Sequence, residues 1–330
     1  MKKVTGIKSV DFKITAEGHG AVNWNGSVTV KTEKDGKLST RNNHNIPKLR
    51  GYTSINGLFD DGNPKYKWPE EIDFNKTPLY ISQNCLRHHL FREHSVDLKN
   101  SEVVKDMSQL LCSIPGILRG YVIAVSGAEY KRTSPLLLTD FVEQNKKGNF
   151  EQFSTVGSKE KKGDKGNTTI YSKITFGDTS YVGYGSLSIE QLQFISLDDT
   201  FSRKAMNIDN HKDGEALAER LTKAISELGE NVNAKATYYK NCVRQGTLYN
   251  YGEAGIILND DAIDVMVSTM IELLEGLSIR QAKSYMHVVD VVLDFNDSKK
   301  AKDMMRIKTA ISETNPEKDD LRYAEYFIGE

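Results

Sequence analysis

The sequence predicts an α+β fold of ferredoxin-like type, and three observations carry that prediction. Reduced to its core, the chain reads strand, helix, strand, strand, helix, strand, with insertions between them. The first and last strands alternate apolar and polar residues at period two, as half-buried strands do. The helix before the last strand has the clearest amphipathic pattern in the chain. No linker with a shift in composition divides residues 1–330, so one decorated domain is expected rather than two.

Residues 4–24 read as a long strand with Val10, Phe12 and Ile14 on one face and a bend or bulge at Gly18-His19-Gly20. Residues 25–76 are rich in Asn, Gly, Lys and Asp and hold Pro47, Pro64 and Pro69, so a loop-dominated insertion is expected. Pro78 and the extended Leu79-Tyr80-Ile81 lead into Ser82, a good N-cap for a helix that starts there. Residues 101–112 read as helix and 116–123 as strand; residues 131–135 then lead into the apolar Leu136-Leu137-Leu138. The run GSKEKKGDKGN (157–167) lies between segments of β character and predicts a hairpin with a lysine-bearing tip. Residues 184–197 contain an alternating strand, and 213–228 form a helix with Leu217, Leu221, Ala224 and Leu228 on its apolar stripe. A strand pair over 243–258, the amphipathic helix over 260–283 and a strand over 285–295 follow. Residues 296–330 are polar and read as an irregular tail, and no internal repeat is visible.

Composition narrows the function classes. With 38% hydrophobic and 27% charged residues the chain describes a soluble globular protein with a core. Its longest apolar runs are far too short to span a bilayer, and Met-Lys-Lys is not followed by an apolar signal segment. Cys85, Cys112 and Cys242 lack metal-ligand spacing, as expected of reduced thiols in a cytoplasm. A pI near 6.7 conceals a split. Residues 252–330 hold nine Lys/Arg against sixteen Asp/Glu, a net of −7, so residues 1–251 carry +6. A basic body beside an acidic tail suits a protein with one face toward a polyanion.

The helix from Ser82 is the most informative stretch. Five of the eight residues from Arg87 to His94 are Arg or His, against one acid, Glu93. A helix N-terminus offers free N–H groups, so Ser82, Gln83 and Asn84 could grip a phosphate while Arg87, His88 and Arg92 track a phosphate chain. The same charges also fit an ordinary solvated helix face. A metal site does not fit, because two histidines four apart are required and the spacings here are one, five and six. Gly157 and Gly163 have five residues between them and are followed by Asp164, so no nucleotide-binding loop is present. Asp260-Asp261 reads as helix-start acid and Asp319-Asp320 as tail charge. No assembled active site, metal or cofactor is expected.

Basic residues recur at element edges: Lys48 and Arg50, Arg87 and Arg92, Arg119, Lys131 and Arg132, Arg244, Arg280 and Lys283. Tyr52, Tyr121, Ser134, Gln245, Gln281 and Tyr285 stand beside them. Cations, amides and stacking rings together are what a single-strand RNA surface needs.

The segment ISQNCLRHHLFRE (81–93) resembles the strand-to-helix segments of the RNA-binding backbone subunits of CRISPR Cascade complexes, within the RAMP superfamily. Ser82, Leu86, Arg87 and Arg92 match that pattern, the last arginine standing one position later than in some relatives. VTGIKSVDFKI (4–14), PKLRGYT (47–53), TPLYISQNC (77–85), KRTSPLLL (131–138), TFGDTSY (175–181), SIEQLQFISLD (188–198) and LSIRQAK (277–283) are similar to the backbone subunit of the type I-F variant complex. The resemblance implies an RRM-like palm, an inserted finger or web (25–76), a thumb hairpin (151–183) and a polar C-terminal tail (296–330). It implies a non-catalytic cytoplasmic subunit that lines up in copies along a guide RNA and presents it to target DNA in antiviral defence. Its partners would be the guide RNA, target DNA, further copies of itself, a subunit capping the guide 5′ end and the guide-processing endoribonuclease. Lys159, Lys161, Lys162 and Lys165 would form the thumb tip. An endoribonuclease of the same superfamily, with His19, His44 or His88 as general base, is the alternative, and a protein-interaction module with solvated basic edges is a third reading.

Overall fold

The computed structural model describes residues 4–24, 29–42, 47–51, 55–66, 77–94, 107–125, 127–145, 149–152, 173–229, 233–247, 251–299, 305–309 and 314–330. Strand β1 (Ser9–His19) is followed by two hairpins, β2 (Thr29–Lys34) with β3 (Lys37–Asn42) and β4 (Ile55–Leu58) with β5 (Pro64–Tyr66). Strand β6 (Tyr80–Ile81) leads into helix α1 (Gln83–Leu90), and α2 (Met107–Leu111) into a π-helical turn at Pro115–Arg119. Hairpin β7 (Tyr121–Val125) and β8 (Ala128–Arg132) comes next, then β9 (Leu136–Leu138) and β10 (Phe141–Glu143). The antiparallel pair β11 (Asn149–Gln152) and β12 (Lys173–Phe176) precedes β13 (Asp178–Ser188), which runs through α3 (Ile189–Gln193) into β14 (Phe194–Ser196). Helix α4 (His211–Ser226), β15 (Ala236–Arg244), β16 (Gly252–Leu258) and α5 (Asp260–Glu275) follow. The chain closes with β17 (Ser278–Arg280), β18 (Tyr285–Asn296), α6 (Arg306–Thr309) and β19 (Phe327–Gly329).

The main antiparallel sheet has the order β17-β18-β1-β13-β10-β6, with β9 also on β13. The first core strand therefore lies between the third and the last, with the second outside them, which is the ferredoxin-like arrangement the sequence predicts. Val10, Phe12, Ile14 and Ala16 project from β1 into a core shared with Leu86 and Leu90 of α1 and Ile263, Met266 and Met270 of α5. Each of these side chains larger than alanine, fully buried, stabilises by about 1.5–3 kcal/mol. A second sheet, β14-β16-β15-β19, packs against α4, and its Ile256 and Leu258 belong to the same buried cluster.

Several expectations are corrected. Residues 115–119 are π-helix, not strand, and among the described residues β7 pairs with β8 alone, so β9 and β10 fill the second core position. Pro115 starts the turn and Gly120 ends it at φ +68, where a Cβ would stand 2.4 Å from the Arg132 carbonyl oxygen. The insertion 25–76 holds two hairpins, the first turning at Asp35-Gly36 with φ 52 and 72, a signal its polar composition obscured. Helix α5 stops at Glu275, and residues 278–283 turn back as a hairpin whose Leu277, Ile279 and Met286 are buried. The strand pair begins at Ala236, and the 184–197 strand is interrupted by α3. The register shift between β1 and β18 lies opposite Thr15 and Ala16, ahead of Gly18, with Val289 of β18 as the extra residue. Residues 314–330 are no irregular tail. Tyr323, Ala324 and Phe327 are buried, and β19 pairs with β15. The hairpin tip 157–167, and with it Lys159, Lys161, Lys162 and Lys165, lies outside the described residues.

On the other face of the main sheet, Asp11 and Asp294 oppose each other across β1 and β18, both fully buried. Asp11 accepts from Ser9 Oγ (2.8 Å), Ser186 Oγ (2.6 Å), Asn296 Nδ2 (2.8 Å) and the Arg306 N–H (3.0 Å). Burial raises the Asp11 pKa, and these donors oppose that shift. The Arg306 guanidinium grips Asp294 at 3.0 and 2.7 Å and Asp297 at 3.1 Å, fastening α6 over the two acids. Losing one partner of a buried ion pair costs about 3–5 kcal/mol. Arg306→Ala should therefore lower the urea unfolding midpoint strongly, and an unchanged midpoint would show that this pair does not hold the C-terminal segment.

Candidate nucleic-acid interface

The start of α1 is where the cationic residues converge. Ser82, in extended backbone, caps the helix by accepting from the Cys85 N–H at 3.4 Å, as its position before the polar run predicts. Its own N–H donates to Asn23 Oδ1 at 2.9 Å. The strip 47–51 lies alongside: Lys48 N–H donates to the Asn23 carbonyl, Tyr80 N–H to that of Lys48, and Arg50 N–H to that of Pro78. Lys48, Arg50, Ser82, Gln83 and Asn84 thereby share one rim. The Arg50 guanidinium lies 5.9 Å from the Tyr80 ring centre and pairs with Asp140. Asp140 Oδ1 also accepts the Gln83 N–H at 3.0 Å, so a carboxylate holds one of the N–H groups that the sequence offers to a phosphate. Nothing in the composition around Asp140 marks it for that position.

The next turn of α1 is built differently. Arg87 is half-buried and donates to the carbonyls of Leu136 (3.4 Å) and Arg119 (2.6 Å) and to Ser134 Oγ (3.0 Å). All three acceptors are neutral, so its charge is not cancelled, and burial pushes its pKa down. It braces α1 to the π-helical turn and to β9. Arg119 and Arg92 are exposed, with no ion pair among the described residues. His88 is exposed and meets His89 edge-on at 5.2 Å, and burial lowers the His89 pKa, with His88 and Arg92 adding to the shift.

Other expected contacts are engaged elsewhere. Lys131 is exposed on β8, but Arg132 is buried at 4% exposure. Its Nη1 donates to the Phe194 carbonyl at 2.7 Å, and burial pushes its pKa down to about 10. That places it inside the protein, away from any RNA surface, because the alternation along β8 turns it toward the second sheet. Arg244 forms a two-pronged pair with Glu190 at 2.6 and 2.9 Å, and Gln245 Nε2 donates to Glu325 at 3.2 Å. Both lie on the second sheet among acids.

Arg280 and Lys283 return to the rim. Gln281 Nε2 donates to the Val22 carbonyl at 2.6 Å and Ser284 Oγ to that of Ala21 at 2.9 Å. Residues 21–23, just past β1, thus tie the β17–β18 hairpin on one side to Ser82 and Lys48 on the other. The sequence marked the cations of this rim but neither Asn23 nor the strip that joins them. His19 Nδ1 lies 3.1 Å from Asp178 Oδ1, and His44 lies outside the described residues. Among the described residues no cluster of His, Cys, Asp or Glu could hold a metal ion, and no helix is long and apolar enough to cross a membrane. The arrangement gathers cations, side-chain amides and a ring along one edge, which is chemistry for holding a phosphate chain.

Because Arg87 serves three acceptors, Arg87→Ala should destabilise the fold by about 1–3 kcal/mol. Urea unfolding measures this, and an unchanged midpoint would mean that the guanidinium is free of the brace.

Among curated proteins no match to this chain was found. The crystal structure of Csc2 from Thermofilum pendens is similar at 10% sequence identity, over 76% of this chain and 65% of that one, with a TM-score of 0.22. The family described as type I-Fv CRISPR-associated protein, Cas7fv-like, matches residues 6–330, and the chain belongs to that family.

Proposed function

We propose that this chain is a non-catalytic backbone subunit that binds CRISPR guide RNA, oligomerises along it and presents it for pairing with target DNA in antiviral defence. Family membership makes it a CRISPR-associated protein of Cas7 type. The observation that supports the finer reading most is the rim joining Lys48, Arg50 and Ser82 to Arg280 and Lys283 through residues 21–23. Cations and side-chain amides of this kind grip a backbone without reading bases, so one protein serves any guide sequence. On this reading the main sheet is the palm, 25–76 the finger or web, and 151–183, with its β11–β12 stem, the thumb. Further copies of the chain, a guide 5′-end capping subunit and a guide-processing endoribonuclease complete the assembly.

The chain expressed alone should carry heterogeneous RNA and form assemblies of variable length, since head-to-tail stacking is open-ended unless capped. Sequencing the co-purified RNA and sizing the assemblies test this. A nucleic-acid-free monomer at low salt would overturn the proposal, and RNA cut at one fixed position would favour the endoribonuclease. Arg92→Glu should weaken binding whatever the RNA sequence and reduce the slope of log K against log salt by about 0.7 for each phosphate left without its cation. A changed sequence preference at constant slope would mean that Arg92 reads bases.

A further inference from the structure

The face of the main sheet opposite α1 and α5 divides into two unlike halves. Toward one end lie Asp11 and Asp294, covered by α6, and Lys308 stands 5.7 Å from the Tyr184 ring centre. Two carboxylates under a fastened segment make that half unfavourable for a polyanion. Toward the other end the face is open. His19 and Tyr285 are directly opposed on β1 and β18, and His287 follows two residues along on the same face. Their rings form a row, with centres 6.4 and 6.1 Å apart and planes 22° from parallel at each step. Tyr285 is 49% exposed, so its ring is open to a ligand.

Beside this row the β17–β18 hairpin borders an open cleft of about 510 Å³, lined by residues 278–287. Arg280 and Lys283 border it, both exposed and without an ion pair among the described residues. The hairpin is held rigid. Gln281 N–H closes the turn onto the Ser284 carbonyl at 2.8 Å, and the side chains of Gln281 and Ser284 anchor it to residues 21–22. Gly18 lets β1 approach closely enough, since a Cβ there would stand 2.2 Å from the Tyr285 carbonyl oxygen.

We propose that the His19–Tyr285–His287 row and the adjoining hairpin cleft form a stacking subsite for unpaired bases of a single-stranded nucleic acid, with Arg280 and Lys283 on the flanking phosphates. This rests on the RNA-binding reading above. Rings on an open sheet face stack single-stranded bases, whereas a duplex hides its base faces from them. Stacking tolerates every base, which suits a protein that must accept any guide sequence. Glu17, paired opposite His287, and Asp178, beside His19, repel phosphates from the middle of the sheet. The strand's backbone therefore runs on the hairpin side, where Arg280 and Lys283 stand.

The test compares the full chain's affinity for an oligouridine and for the same oligonucleotide with its bases removed. The parent should prefer the intact strand by about tenfold. Tyr285→Ala should erase that preference, while Tyr285→Phe keeps it. Replacing Arg280 and Lys283 by Ala should weaken both ligands alike and flatten the salt dependence. To guard against a folding defect, the unsubstituted chain is also crosslinked to an oligonucleotide carrying 4-thiouridine, with adducts expected at Tyr285 or its ring neighbours. Equal affinity of the parent for both oligonucleotides, a preference that survives in a folded Tyr285→Ala, or adducts confined to α1 would overturn the subsite and leave RNA binding standing. Failure of the parent to bind either oligonucleotide would remove the RNA-binding reading and the subsite with it.

Discussion

Strand β1 and its continuation position both the rim at Ser82 and the ring row at Tyr285. All eleven of its residues pair with β13 on one side, and it runs the length of β18 on the other, broken once at Thr15–Ala16. One side of that strand feeds the apolar core, and the other carries Asp11 at one end and His19 at the other. Beyond His19 the chain continues as residues 20–24 and supplies Ala21, Val22 and Asn23 as acceptors for three separate segments. Were β1 to slip by one residue, its core and solvent faces would exchange and the rim would lose its common anchor.

The charge distribution follows from this geometry. Cations from distant points in the sequence, Lys48, Arg50, Arg280 and Lys283, meet around one short strip because its carbonyls and Asn23 fix the backbones that carry them. Three other arginines are engaged inside the protein. Arg132 is buried, Arg244 is matched by Glu190, and Arg306 is spent on Asp294 and Asp297. The acidic surplus of residues 252–330 is likewise partly structural. Asp294 lies beneath α6, and Asp264 accepts from Lys318 Nζ and Tyr323 OH at 2.7 and 2.6 Å. A segment that reads as a charged tail is thereby stitched into the fold by its own charges.

Local signals in the sequence were reliable where one residue type dictates the backbone. Ser82 capping α1, Asp260 and Asp261 opening α5, and the alternation of β18 all follow from short-range chemistry. The Asp35-Gly36 turn was equally readable, but the surrounding Asn, Lys and Gly made the insertion look like loop. Residues 277–283 misled in the opposite sense. Leu277 and Ile279 continue an apolar helical pattern while serving as the buried alternation of β17, and a short apolar run does not distinguish the two.

By itself the sequence determined the ferredoxin-like order of strands and helices, the cationic helix and the motifs that resemble its family. These depend on residue types and on spacings of a few positions, which propensity and capping convert directly into backbone. Only the tertiary structure decided which cations share a surface, that Asp140 takes an N–H at the start of α1, and that β19 completes the second sheet. It also brought His19 beside Tyr285, two residues that are far apart along the chain. Such neighbours are set by strand pairing, whose register depends on the whole core, so no local reading of the chain contains them.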